Sequence, residues 1–224
     1  MTLSGLEHAT PARAARPYGP AYRFETARLC ARCWTPADAP LLRTALDEND
    51  AYLRPWIPWM REEPKPLEGT IQKLRNARAA FDSDIDFRYG LYAPGAPAVI
   101  GEIALLGRIG PAALEIGYWV DHRLAGRGLA TEAAGAVVRL AFETRSVERV
   151  EIHHSAGNDA SGAVPRKLGF TLEATMRRRA HDADDVVRDL SIWTMFADEY
   201  ERSPARRQDV RAWDALGTPF VLSA

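Results

Sequence analysis

The segment that decides the fold of this 224-residue chain is IGYWVDHRLAGRGLATEA, at residues 116–133. The apolar run that ends at Val120 predicts a strand, and the spacing of apolar residues after Gly128 predicts an amphipathic helix. Between them, Gly126 and Gly128 predict a tight turn, because glycine adopts conformations and close approaches that a Cβ would block. Such a turn points several backbone N–H groups at one place beside the positive end of a helix. The segment therefore predicts an anion site for phosphate or pyrophosphate.

Two common phosphate-binding motifs do not fit this turn. A P-loop would need a Lys followed by Ser or Thr, and a dinucleotide-binding loop would need a third glycine within the run 129–131, which reads Leu-Ala-Thr. Arg123 and Arg127 add positive charge nearby. On these residues alone, a plain tight turn without a ligand remains open.

The rest of the chain predicts a mixed arrangement of strands and helices. Strands are predicted over 24–34, 87–93, 98–106, 114–120, 149–153, 170–180 and 186–196, and helices from 35, over 66–81, over 128–142 and over 159–168. An antiparallel front half joined to a βαβ unit is typical of an α/β (mixed α+β) domain.

The two ends of the chain are predicted to lie outside this domain, which spans 21–203. Residues 1–20 lack a continuous apolar run, so they are predicted to be a disordered leader and not a secretory signal. The tail, 204–224, carries enough apolar residues to dock either on its own domain or on a second subunit. A homodimer is therefore one of the arrangements left open.

Composition narrows the class of protein. The chain is 46% hydrophobic and 26% charged with a net charge of −1, which is typical of a soluble globular protein and predicts no nucleic-acid or membrane partner. Cys30 and Cys33 have no second pair to complete a zinc site, so they are interpreted as unpaired thiols on a strand in a reducing compartment. No metal is expected, and the location is predicted to be cytoplasmic.

Two motifs resemble those of a known family. The pattern Arg123-x-x-Gly126-x-Gly128 resembles the R/Q-x-x-G-x-G/A signature of GNAT acetyltransferases, and residues 158–170, NDASGAVPRKLGF, are similar to the next motif of the RimJ/RimL-type branch. The resemblance covers about residues 24–197. It implies the GNAT fold, a central, mostly antiparallel twisted sheet of about six or seven strands with one parallel splayed pair, flanked by about four helices.

The resemblance also implies an activity. The chain would use acetyl-CoA as co-substrate, without a metal, and move its acetyl group to a primary amine by direct attack on the thioester. A protein N-terminal α-amine is slightly preferred over a small-molecule amine as acceptor. The alternative is a catalytically silent GNAT-fold module that binds acyl-CoA or regulates a partner.

By the same resemblance, one set of residues would hold acetyl-CoA. N–H groups of residues 126–130 would bind the pyrophosphate, the strand end and Asn158 would bind the pantetheine arm, and Ser161 would lie near the sulfur. The full set is Trp119, Val120, Arg123, Gly126, Arg127, Gly128, Leu129, Ala130, Thr131, Asn158, Ser161 and Lys167.

The catalytic candidates follow from the resemblance and from one departure. Many relatives have a tyrosine acid where this chain has Pro165, so Ser161 or water becomes the candidate donor to the leaving thiolate. Glu115 is the first candidate for the general base and Glu102 the second. For each carboxylate the alternative is a strand residue that only faces an arginine.

An aromatic loop is predicted to form one wall of the acceptor pocket. Its rings are Tyr52, Trp56 and Trp59, and the alternative is that they cap the core. The adjacent His153 and His154 are interpreted as structural. The run 177–179, three arginines, is interpreted as a solvated strand end.

Overall fold

The computed structural model describes residues 17–223. Most of the predicted leader, residues 1–16, lies outside the described residues. The strands are β1 (Arg23–Glu25), β2 (Cys30–Cys33), β3 (Asp86–Tyr92), β4 (Val99–Leu106), β5 (Ala113–Val120), β6 (Arg149–Ser155), β7 (Thr171–His181), β8 (Val187–Phe196) and β9 (Arg211–Trp213). The α-helices are α1 (Ala39–Leu53), α2 (Leu67–Asp82), α3 (Leu129–Arg145), α4 (Asp159–Leu168) and the short α5 (Ala197–Tyr200).

All nine strands form one sheet in the order β7-β8-β6-β5-β4-β3-β2-β1-β9. Of its strand pairs, only β5 and β6 run parallel in the described chain. Successive side chains of a strand point to opposite faces. On β5, Ile116 belongs to the core cluster that contains Val137 of α3, whereas Trp119 belongs to a separate cluster that contains Leu42 of α1. Helices therefore cover both faces of the sheet.

The mixed α/β fold with one parallel pair agrees with the prediction, but the sheet has more strands than the six or seven expected. One extra strand comes from the segment 24–34, for which a single strand was predicted wrongly. A turn divides it into β1 and β2, because the Thr26 N–H donates to the Leu29 carbonyl at 2.9 Å and the Leu29 N–H donates to the Thr26 hydroxyl at 3.2 Å.

The second extra strand comes from the tail. Residues of β9 pair with β1, with Phe24 opposite Ala212, and Ala212 is buried in the core. Phe220 and Leu222 pack against the same core. The described tail residues thus dock on their own domain and complete one edge of its sheet.

Two absences concern residues 17–223 only. No helix there combines the length and apolar character needed to cross a bilayer. The same residues contain no group of three or more His, Cys, Asp or Glu side chains placed to hold a metal ion. Both Cys30 and Cys33 are free thiols.

Candidate active site

A cleft opens where the two parallel strands separate. β5 and β6 pair only from Ala113 opposite Arg149 to Ile116 opposite Ile152, although both strands continue beyond this point. The gap is a cleft of about 240 Å³, lined by the end of β5, the glycine turn and α4. An elongated ligand placed here would meet the unpaired backbone groups of β5, as an added strand would.

The glycine turn has the geometry of an anion cradle. Gly126 and Gly128 have φ values of +75° and +80°, a region that residues with a Cβ rarely adopt. A Cβ on Gly126 would meet no atom within 4 Å, so that side of the turn is open. The N–H groups of residues 126–128 donate to no other group in the described chain. They adjoin the first turn of the 17-residue α3, where helix N–H groups have no intrahelical acceptor.

The turn is braced from the far end of the sheet. Arg28, in the turn between β1 and β2, donates from Nη1 to the Arg127 carbonyl at 2.8 Å and from Nε to Glu132 at 2.6 Å. Glu132 also accepts from the Thr26 hydroxyl at 2.6 Å and from the Arg28 N–H at 2.9 Å. Burial alone would raise the pKa of Glu132, but these hydrogen bonds hold it below its usual value. The carboxylate thus stays charged and fixes the start of α3.

Most of the residues predicted to hold acetyl-CoA line this one cleft. They are Trp119, Val120, Gly126, Gly128, Leu129, Ala130, Thr131, Asn158, Ser161 and Lys167, joined by Tyr52 and Trp56 of the predicted acceptor wall. Asn158 caps α4 by accepting the Ser161 N–H at 3.1 Å through its side-chain oxygen. Its amide N–H₂ group remains available to a ligand.

The two arginines that were predicted to help hold acetyl-CoA, Arg123 and Arg127, make contacts outside the cleft. The Arg123 guanidinium pairs with Asp121 at 2.5 Å and Glu48 at 2.6 Å and does not line the cleft. Hydrogen bonds from Arg123 lower the pKa of Asp121 to about 2. Arg127 contributes its carbonyl to the brace with Arg28, and its side chain lies outside the cleft. Neither side chain lines the cleft, and a contact of either one with acetyl-CoA stays a prediction.

Trp59 also lies outside the cleft lining. The Lys73 ammonium lies 3.8 Å from the centre of its ring, and the ring packs against the core beneath α1 and α2. Of the three rings in the predicted acceptor wall, Trp59 therefore matches the alternative interpretation, a ring that caps the core.

A hydroxyl pair lies inside the cleft. Pro165 has no N–H, so the Ser161 carbonyl, four residues earlier in α4, loses its usual helical donor. The Tyr118 hydroxyl takes that place and donates to this carbonyl at 2.9 Å, with its oxygen 3.0 Å from Ser161 Oγ. Burial raises the pKa of Tyr118, so its hydroxyl stays protonated. Pro165 stands where many relatives have a tyrosine, and the carbonyl that it leaves without a helical donor accepts a hydrogen bond from Tyr118 of β5.

A second cavity, of about 590 Å³, lies on the other side of β5 and shares Trp56 with the cleft. Glu115 lines it and is buried at 5% exposure. Both carboxylate oxygens of Glu115 accept hydrogen bonds from Arg108, at 2.8 and 2.5 Å. We call this space the acceptor cavity, because it shares Trp56 with the cleft and carries the first base candidate.

His153 faces Glu115 inside the acceptor cavity. Its Nε2 lies 2.6 Å from Glu151, and since a carboxylate can only accept, that nitrogen carries the proton. In the neutral ring Nδ1 is then an acceptor, 3.7 Å from a Glu115 oxygen. Because both atoms are acceptors, they do not bond each other, and at this separation they can receive two N–H groups of one ammonium. Sequence reasoning missed this arrangement, because only the register of β5 with β6 brings the three side chains together.

Glu102 lies in neither cavity. Its oxygens accept from Trp34 Nε1 at 2.8 Å and from Arg88 Nη1 at 3.1 Å, and the residue is 8% exposed. This carboxylate faces an arginine, as in its alternative interpretation, and ties β4 to its neighbours. By contrast His154 accepts the Trp193 indole N–H at Nε2 at 3.0 Å, a structural contact.

The hairpin tip between β7 and β8 arches over the acceptor cavity. The Ala183 N–H donates to the Arg54 carbonyl at 3.1 Å, and Arg61 pairs with Asp185 at 2.8 Å. Asp182 holds the tip together from within by accepting the Val186 N–H at 2.9 Å and a bond from Arg188 Nη2 at 2.9 Å. The cavity is therefore walled by the aromatic loop on one side and by this tip on the other.

Comparisons with known proteins identify the family and the fold. The model of the acetyltransferase (GNAT) domain family matches residues 28–171. The chain is similar to YdaF of Bacillus subtilis (strain 168), which is named as a suspected ribosomal N-acetyltransferase, with 29% identity over 176 residues, 76% of this chain and 92% of that protein. It is also similar to the ribosomal protein uS5-alanine N-acetyltransferase of Escherichia coli (strain K12), with 28% identity over 69% of this chain and 80% of that protein.

Solved structures share the fold. RimL, the ribosomal L7/L12 alpha-N-protein acetyltransferase, in complex with coenzyme A superposes with a TM-score of 0.71 at 22% identity, over 78% of this chain and 97% of that one. Mycobacterium smegmatis RimJ in complex with a CoA disulfide gives a TM-score of 0.68 at 23% identity, over 80% of this chain and 87% of that one. These likenesses confirm the predicted architecture.

Proposed function

Because the chain belongs to the GNAT acetyltransferase family, we propose that it transfers the acetyl group of acetyl-CoA to the N-terminal α-amine of a protein. The observation that carries the proposal is that the cleft and the acceptor cavity share Trp56 as a lining residue. One side offers an anion cradle for a long phosphorylated ligand. The other offers acceptors for an ammonium.

Proton removal from the acceptor falls to the pair Glu115 and His153. An amine attacks a thioester only when it is neutral, and an α-amine has a pKa of about 8 against about 10.4 for lysine. Neutral His153 Nδ1 takes the proton, and Glu115, held by Arg108, stabilises the imidazolium that forms. The nitrogen then bonds to the carbonyl carbon, and the carbon–sulfur bond breaks.

The leaving thiolate is met by the hydroxyl pair of the cleft. Tyr118 donates to the Ser161 carbonyl, which leaves the Ser161 hydroxyl proton free to turn toward the sulfur. Ser161 is therefore the proposed donor: as it gives its proton to the sulfur, it takes up the second proton that the acetylated nitrogen loses, so its hydroxyl is restored. Tyr118 is the residue that positions it. This assignment keeps the sequence prediction for Ser161 and adds a tyrosine that the sequence motif lacks.

An N-terminal amine suits the acceptor cavity better than a small amine does. The rim includes exposed side chains of Arg61, Arg179 and His181, so a chain that continues past its first residues can leave the cavity into solvent. A fully enclosed pocket would favour a small molecule. The relatives from Bacillus subtilis and Escherichia coli carry names of ribosomal N-acetyltransferases, which also supports a protein acceptor.

The first test is titration of acetyl-CoA into the protein by calorimetry, with Gly126→Glu and Gly95→Glu variants beside it. Both glycines have nearly the same φ, +75° and +73°, and an added Cβ meets no atom within 4 Å at either. Backbone strain is thus matched, and only Gly126→Glu places a carboxylate at the anion cradle. We expect wild type and Gly95→Glu to bind alike and Gly126→Glu to lose at least tenfold in affinity.

Turnover is then measured as thiol release with peptides that carry free or acetylated N-termini. The proposal predicts release only with free α-amines. Equal loss of acetyl-CoA affinity in both glycine variants would contradict the assignment of the glycine turn as the anion site. Binding without turnover on any amine would indicate the silent module instead.

A further inference from the structure

The acceptor cavity carries one arginine that no other side chain among the described residues neutralises. Three arginines and two carboxylates line it. Arg108 is paired with Glu115, and Arg61 with Asp185. Arg179 makes neither an ion pair nor a side-chain hydrogen bond within residues 17–223. The one charged arginine or carboxylate of the cavity wall without a partner among the described residues is therefore positive.

A distortion of the sheet turns Arg179 toward this cavity. The pairing of β7 with β8 jumps from Met176 opposite Leu190 to Ala180 opposite Arg188, so residues 177–179 face a single residue, Asp189. Arg178 adopts φ +56°, and its N–H donates to the Asp189 carboxylate at 2.8 Å. Bulges of this kind redirect side chains and recur beside active sites. Arg179 lines the cavity, whereas Arg177 and Arg178 do not.

An unpaired guanidinium in a substrate cavity selects for a carboxylate, because an arginine binds both of its oxygens with parallel hydrogen bonds. A cavity of 590 Å³ is about 10 Å across if taken as a sphere, the length of about three residues of extended chain. With the amine at His153, a carboxylate at Arg179 would belong to one of the next residues of the acceptor.

On the premise of the proposed amine acetylation, we infer that Arg179 binds a carboxylate of the acceptor and gives the enzyme a preference for N-termini with Asp or Glu at the second or third position. The shared chemistry is a carboxylate two or three residues from the reacting amine. A side-chain carboxylate of a protein and the terminal carboxylate of a free tripeptide both meet that description.

The test compares kcat/KM for amidated peptides that differ only at the second or third residue, with Asp, Asn or Lys there. Wild type should prefer Asp over Asn by about tenfold, since a hydrogen bond to a charged group changes an equilibrium by that order. Arg179→Glu should abolish this preference and favour Lys. Arg177→Glu makes the same charge change at an exposed residue two positions away and should behave as wild type.

Further arms separate the sources of the effect. Raising NaCl to 0.5 M should shrink the preference, because exposed ion pairs are screened. A tripeptide with a free C-terminus, compared with its amide, shows whether a terminal carboxylate serves as well as a side chain. Unchanged melting temperatures would show that both variants fold.

Three results would overturn the inference. Equal turnover of the Asp, Asn and Lys peptides by wild type would remove the preference and leave the proposed function intact. An equal shift in Arg177→Glu and Arg179→Glu would assign the effect to general surface charge. Acetyl-CoA binding without turnover of any peptide would instead overturn the proposed function, and this inference with it.

Discussion

In the proposed mechanism, the hydroxyl groups of two residues, Tyr118 and Ser161, act on the leaving thiolate. The hydroxyl pair exists because Pro165 frees the Ser161 carbonyl and Tyr118 occupies it at 2.9 Å. The pair joins residues that are 43 positions apart in the chain. The Tyr118 hydroxyl of β5 thus replaces the helical N–H donor that Pro165 of α4 lacks, and the proposed proton transfer in the cleft depends on this hydrogen bond.

Tyr118→Phe tests this role directly. We expect kcat to fall about tenfold while the affinity for acetyl-CoA stays the same, because Ser161, the proposed proton donor, loses the Tyr118 hydroxyl that positions it. The effect should not add to that of Ser161→Ala, because the two groups act as a unit. Steady-state kinetics and calorimetry on both variants and their double variant measure this.

The matched control is Tyr92→Phe. Tyr92 is also a buried tyrosine, but its hydroxyl has no hydrogen-bond partner in the described chain, so kcat should not change. A loss of acetyl-CoA affinity in Tyr118→Phe equal to its loss of kcat would make the tyrosine a binding residue.

Local sequence predicted the residues whose task is also local. Gly126 and Gly128 were predictable because a turn of this kind needs positive φ, whereas Asn158 was named only through the resemblance to the family motif. Arg28 carried no such signal, since its acceptor Glu132 lies 104 positions away. His153 was missed for the same reason, as its partners lie on a neighbouring strand and two residues along its own.

At the scale of elements, the hairpin tip governs access to the acceptor cavity. Asp182 is 2% exposed and organises the tip through its hydrogen bonds to Asp184 N–H, Val186 N–H and Arg188. The tip in turn contacts the end of α1 through Arg54. A rigid tip thus sets the width of the cavity between the two elements.

Asp182→Ala should loosen this wall. We expect KM for the peptide to rise several-fold with little change in acetyl-CoA affinity, because the tip loses the carboxylate that accepts hydrogen bonds from the Val186 N–H and Arg188. Asp184→Ala is the control, since that exposed side chain makes only a 4.0 Å ion pair with Arg54 in the described chain. If acetyl-CoA affinity fell while peptide KM stayed constant, the tip would belong to the cofactor site.

Helices and most strands were predictable from periodicity and capping signals, whereas strand partners were not. The division of segment 24–34 into β1 and β2 depends on a turn closed by Thr26, which is also a common strand residue. The three residues of β9 form a strand only because β1 offers them an edge. Both extra strands are tertiary effects that override a weak local preference.

At the scale of the whole molecule, buried and paired carboxylates make stability depend on pH. The pKa of Asp121 is lowered to about 2 by hydrogen bonds from Arg123. Burial alone would raise the pKa of Glu132 and Glu151, but hydrogen bonds from neighbouring arginines and other donors lower each of them. Such groups bind protons more readily in the unfolded chain. Their stabilisation is complete above the unfolded pKa of about 4 and disappears as the pH falls toward the folded value.

Urea unfolding at pH 6, 4.5 and 3.5 measures this dependence. We expect the free energy of unfolding to fall as the pH drops below about 5, because each of these groups takes up its proton first in the unfolded chain. Asp121→Asn should be less stable at pH 6 and lose less on acidification. A wild-type midpoint that stays constant over this range would contradict the linkage.

The bulge at residues 177–179 has a consequence for the sheet as a whole. β7 is the outermost strand at its end of the sheet, and its 11 residues expose a row of backbone groups to which any other strand could add. Arg178, at positive φ, interrupts that row. Two copies that met edge to edge in antiparallel register around the bulge would also bring the exposed side chains of Arg177 and Arg178 near those of the other copy, and these charges repel. The irregularity that aims Arg179 inward thus guards the protein against fibre-like self-association.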